Sequence, residues 1–147
     1  MQVGRHVALL ALLWAAWSGC VGAQERIGFL SAANFNTTSD QQINIGTKGG
    51  SNAPRVSIRR ITVQNCTASL TLAVGGFYTG AGKSGTTLVA NTQVYSALTG
   101  SGKFLDVALA SIVLTDVIST NTIFFALTTA QGSAVTCDIA VFGDVLT

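Results

Sequence analysis

From Gln24 onward the chain never sustains the 3.6-residue apolar period of an amphipathic helix, and this limits its possible folds more than any other feature. Apolar residues recur at every second position instead. The clearest run is Val135, Cys137, Ile139 and Val141, with Thr136, Asp138 and Ala140 between them. Side chains alternate across a strand, so one set of such a run faces a core and the other faces away from it. β-Branched Val, Ile and Thr suit this pleated surface. Strand-like pieces fall at 24–31, 41–46, 55–66, 70–74, 77–78, 86–90, 93–98, 104–109, 111–118, 122–128 and 134–142. Residues 32–40 and 47–54 read as polar breaks, the second holding Gly49-Gly50 and the only proline, Pro54. Val107 to Val117 is apolar enough to be argued as a helix, but its β-branched content and nearby turns favour a strand. Short strands separated by turns imply an all-β fold, an antiparallel β-sandwich or jelly roll spanning residues 24–147.

Two local features refine this expectation. Val56 and Ile58 alternate, as do Ile61 and Val63, but the step from Ile58 to Ile61 is odd. A β-bulge at Arg59-Arg60 absorbs the extra residue. The phrases TGAGK (79–83) and TGSGK (99–103) flank two strand-like pieces. If those pieces pair as a hairpin, Lys83 and Lys103 sit together at one end of a sheet.

Composition bears on chemistry. After Ala23 there is no histidine and one glutamate, and the aspartates 40, 106, 116, 138 and 144 are scattered singly. Enzymes commonly handle protons and metals with histidine and paired carboxylates. The expectation is therefore a protein that is not an enzyme, with no catalytic, cofactor-binding or metal-binding residues. Gly80-Ala81-Gly82-Lys83-Ser84 is not a phosphate-binding loop, because Phe77 stands where the first glycine belongs and a strand follows. A net charge of +2 is too small to argue for nucleic acid or an anionic membrane.

Residues 1–23 read differently. Arg5 and His6 precede eleven apolar residues, Val7 to Trp17, and Val21-Gly22-Ala23 ends the segment with small residues. This is the pattern of a secretory signal cut between Ala23 and Gln24. The apolar run is too short for a span of roughly 30 Å. Other readings are a lipidated Cys20, a buried N-terminal helix, or translation from a later start. Export would leave Cys66 and Cys137 as a pair in an oxidising compartment, which suggests a disulfide; two buried thiols are the alternative. Asn36-Thr37-Thr38 and Asn65-Cys66-Thr67 match glycosylation acceptors, which matter only in a glycosylating host. Arg55, Arg59 and Arg60, with Arg26, form a basic cluster that is either a solvated strand edge or a contact for an acidic protein partner. Lys83 and Lys103 join Arg55, Arg59 and Arg60 as candidate partner-contact residues.

Several phrases resemble the small β-rich structural proteins that decorate or cement the heads of tailed bacteriophages. They are ITVQN (61–65), ASLT (68–71), GGFYT (75–79), YSALT (95–99), LTTAQG (127–132) and DIAVFGD (138–144). The resemblance covers strand and turn phrases and brings no active site with it. It implies a virion structural protein on the capsid surface, with capsid subunits or its own copies as partners and a trimer as the favoured homo-oligomer. Such proteins assemble in the cytoplasm, so residues 1–23 depart from the pattern. They point instead to a secreted or cell-surface β-sandwich that binds or builds fibres.

Overall fold

The computed structural model describes residues 24–46 and 55–146. The signal-like segment with Ala23 and Cys20, and the break at 47–54, lie outside the described residues; Gln24 is the first described residue. Among the described residues nine strands form: β1 (Glu25–Asn34), β2 (Gln41–Asn44), β3 (Arg55–Gln64), β4 (Val74–Gly80), β5 (Ser84–Val89), β6 (Phe104–Asp106), β7 (Ile118–Ser119), β8 (Thr122–Thr129) and β9 (Thr136–Leu146). One short helix, α1 (Ser111–Thr115), interrupts them. The strands make two antiparallel sheets. The β9 sheet has the order β1-β9-β3-β6, with β7 also pairing β3; the β8 sheet has the order β2-β8-β4-β5. The fold is an all-β sandwich.

The alternation read at 135–141 sets the core. Val135, Cys137, Ile139 and Val141 are buried, as are Val56, Ile58, Ile61 and Val63 on the neighbouring β3. The β3–β9 register shifts between Ile58 and Arg60, so the extra residue at Arg59-Arg60 is a bulge that keeps both apolar pairs inward. From the β8 sheet, Phe125 closes the core against Phe35 (4.9 Å between ring centroids), Phe77 (5.1 Å) and Tyr95 (6.1 Å). The buried Tyr95 hydroxyl donates to the Gly75 carbonyl at 3.2 Å, and burial pushes its pKa well up. Gly75 and Gly76 let β4 approach this closely: a Cβ on Gly75 would lie 2.4 Å from Leu127 Cα, and one on Gly76 2.3 Å from the Val89 carbonyl oxygen.

Several expected strands do not form, for identifiable reasons. At 70–74 the backbone N–H groups of Thr71, Leu72 and Ala73 all donate to the side-chain oxygen of the buried Gln131, at 2.9, 3.0 and 3.2 Å. Donors held by one amide cannot enter a ladder, and only Val74 goes on into β4. The piece 93–98 makes a single isolated bridge, Val94 to Val74, and then turns, with Leu98 N–H bonded to the Tyr95 carbonyl. Its apolar residues Tyr95 and Leu98 fill the core, and the pairing stops at that one bridge. Consequently β5 pairs with β4, and no hairpin joins 86–90 to 93–98. At 104–109 only β6 is strand. At 111–118 the strand expectation fails: α1 makes one helical turn and β7 only two residues. Conversely, the expected loop at 32–40 begins as strand, because β1 runs to Asn34 through an irregularity between Leu30 and Ala33.

Tyr78 offers a stability test. It is buried, and among the described residues its hydroxyl has no hydrogen-bond partner. A buried polar group without a partner forfeits its hydration for nothing in return. Tyr78→Phe is expected to raise the unfolding free energy by about 1 kcal/mol in urea titration. A loss of stability would mean that the hydroxyl is bonded.

Candidate functional site

The outer face of the β9 sheet, turned away from the core, carries an unusual set of side chains. In register, Arg26 of β1 faces Phe142 of β9, which faces Arg60 of β3. The next row is Phe29, Ala140, Thr62 and Asp106, and the next holds Asp138, Gln64 and Phe104. All have the parity opposite to the core residues Ile139, Val141, Ile61 and Val63. Phe104 is 66% exposed and Phe29 40%. The small residues among them, Ala140 and Thr62, are buried at 2% and 6% although they point away from the core.

Cation–π contacts order this face. The Arg60 guanidinium lies 4.5 Å from the Phe142 ring centroid, and that of Arg26 4.8 Å from Phe29. Arg60 Nε is also 4.0 Å from Asp106, whose carboxylate accepts a 2.5 Å bond from the Thr62 hydroxyl. Arg59 Nε donates to Asp144 at 3.2 Å. The rings of Phe104 and Phe142 border a depression of about 190 Å³ lined also by Arg60, Gln64 and Asp106.

Asp138 anchors one end of the face. It accepts bonds from Asn65 Nδ2 (2.9 Å), the Ala32 N–H (2.9 Å) and the Ser31 hydroxyl (3.4 Å). Ala32 and Asn65 both have positive φ, 52° and 54°, a conformation that costs a non-glycine residue energy and needs outside support. The bonds from Asn65 and then Ala32 lower the Asp138 pKa below its ordinary value of 3.8. The folded pKa is depressed, so the stabilisation is present above pH about 4 and is lost as pH falls through the folded value. Asp138→Asn is expected to cost about 1 kcal/mol at pH 7, because the site is partly exposed, and next to nothing near pH 2. Urea titrations at the two pH values check this; an equal cost at both would remove the charge from the explanation.

The residues singled out in the sequence are placed as follows. Arg59 and Arg60 belong to the outer face. Arg55 is exposed at the start of β3, opposite Ser119 and Leu146. Lys103 lies beside Gln64, Asn65 and Phe104 at the end of β3. Lys83 is in the β4–β5 turn of the other sheet, where the neighbouring Gly82 N–H donates to Asp40. The lysines are therefore on different sheets, because the hairpin meant to unite them does not form. Cys66 and Cys137 are joined by a disulfide at the end of the β3–β9 ladder. Asn36 sits in an exposed turn, whereas the Asn65 amide is held by Asp138.

Phe29, Phe104 and Phe142 were not singled out in the sequence. Phe142 was within reach, since it continues the parity of Asp138 and Ala140. That it meets Phe29 and Phe104 depends on strand order.

A second recess, of about 230 Å³, lies between Thr79 and Thr86 on one side and Asp116 and Ser119 on the other. Its hydroxyls and single carboxylate offer hydrogen bonds. Among the described residues no three His, Cys, Asp or Glu side chains are grouped so as to hold a metal ion, and no helix is long and apolar enough to cross a membrane.

Fold and surface together define a class: a disulfide-closed β-sandwich with an aromatic and arginine-bearing outer face. The chain matches no protein-family model, no curated protein and no solved structure.

Proposed function

We propose that this protein is a non-enzymatic structural component of a virion, a decoration or stabilising module on the capsid surface. It works by burying surface against protein partners, capsid subunits or its own copies. The observation that carries this reading is the outer face of the β9 sheet. A sheet face meant only for water is polar, whereas this one exposes Phe29 and Phe104 beside Phe142. Its aspartates also support the reading. Asp106, Asp138, Asp144 and Asp40 are each tied to a different structural partner. The resemblance to head-decorating proteins supplies the setting. The test is the composition of purified particles: the reading requires the protein at stoichiometric amounts, and its absence there ends it.

The Cys66–Cys137 bridge favours a second reading, a secreted or cell-surface binding or fibre subunit, since disulfides persist in oxidising compartments. Intact mass of the natively produced chain separates the two. Loss of residues 1–23, together with the mass of two hydrogens, supports export; a full-length reduced chain rules export out.

A further inference from the structure

We propose that the outer face of the β9 sheet packs against the same face of a second copy of this chain, about a two-fold axis. The proposal rests on the reading of the protein as a contact-making module and names its partner.

The charges on the face argue for self-recognition. Arg26, Arg55, Arg59 and Arg60 share it with Asp106, Asp138 and Asp144, and the two signs are interleaved, Arg59 beside Asp144 and Arg60 beside Asp106. A strongly acidic partner would meet the aspartates, and a basic one the arginines. A face on which both signs interleave can meet itself with opposite charges in register, because a two-fold axis sets residue i against j and j against i. The same symmetry decides the copy number. One face touching itself makes a pair, whereas a trimer needs two different patches. The dimer thus replaces the trimer that the resemblance implies.

Area and order agree with this. Three strands of ten or eleven residues and β6 of three, at about 4.8 Å spacing and about 3.3 Å per residue, give a face on the order of 500 Å² per copy. Two such faces reach the roughly 1,000 Å² expected of a specific interface. Phe142 lies on the inner strand β9, while Phe29 and Phe104 on the flanking strands β1 and β6 present exposed rings among the charged groups. The Arg26 and Arg60 guanidinium groups already lie over the Phe29 and Phe142 rings. Pairing therefore immobilises little that is not immobilised beforehand, and the free edges of each guanidinium can receive a carboxylate of the other copy.

The test is the solution mass of the natively produced, oxidised chain by light scattering and sedimentation. The unaltered protein is expected to be a dimer. Phe104→Asp is expected to halve the mass while the chain still unfolds in one cooperative transition, lowered only by the lost association, because Phe104 is exposed at 66% and supports no core packing. Leu72→Asp, at a residue 60% exposed on the loop before β4, is the control and is expected to remain a dimer. A monomer up to about 100 µM, a weak-binding limit, overturns the proposal. So does a trimer, or a dimer that Phe104→Asp leaves intact. Particle composition tests the parent reading separately. A monomeric protein found stoichiometrically in particles would end the two-fold pairing alone, and a dimer absent from particles would end the virion reading alone.

Discussion

Replacing Cys66 and Cys137 together by alanine is expected to lower the unfolding free energy by about 4 kcal/mol. The bridge closes a loop of sequence separation 71, and fixing that loop removes many conformations from the unfolded chain. The folded ends need little help. Gln64 faces Asp138 in the ladder, and the Thr67 N–H donates to the Thr136 carbonyl at 2.9 Å. The bond therefore acts chiefly through the unfolded state, as the chain-entropy treatment assumes. For a domain of this size the midpoint of thermal unfolding should fall by roughly 15 °C. Urea titration of the oxidised protein against the double variant measures the difference. A loss below about 1 kcal/mol would show that the bridge constrains the unfolded chain very little.

The second large effect belongs to the core. Phe125→Ala is expected to cost about 3–5 kcal/mol. Its ring is fully buried and touches Phe35, Phe77 and Tyr95, which reach it from both the strands and the loops. Truncation removes the contacts of all three at once, and the β-strand backbone around it cannot collapse into the space. Phe125→Leu keeps most of the volume and should cost about 1–2 kcal/mol. Equilibrium unfolding of both variants checks the order. If alanine cost no more than leucine, Phe125 would not be the centre of the core.

Much of the sandwich was legible because strand pleat has a strict period. The inward set at 135–141 and the bulge at Arg59-Arg60 are consequences of that period, and both are seen in the β3–β9 ladder. Period fails where something other than a ladder takes the backbone donors. The alternating Leu70, Leu72 and Val74 read as a strand, yet Gln131, some sixty residues away, captures the N–H groups at 71–73. Tyr95 and Leu98 are apolar for the core's sake and not for a strand's. The one-turn helix at Ser111–Thr115 shows the same limit, since an apolar β-branched run carries no periodic signal that distinguishes the two states over five residues.

The candidate surface divides along the same line. The chain's own pattern determined an all-β fold, an inward face for each long strand, and a shortage of proton-handling groups, because these follow from residue type and spacing of two. Which strands lie side by side was left to the tertiary structure. Only the order β1-β9-β3-β6 brings Arg26, Phe29, Phe104, Phe142 and Arg60 onto one face, and only the β4–β5 pairing sends Lys83 to the other sheet. Neighbouring strands are chosen by the total burial and hydrogen bonding of the whole chain, a sum over distant residues that no local spacing contains.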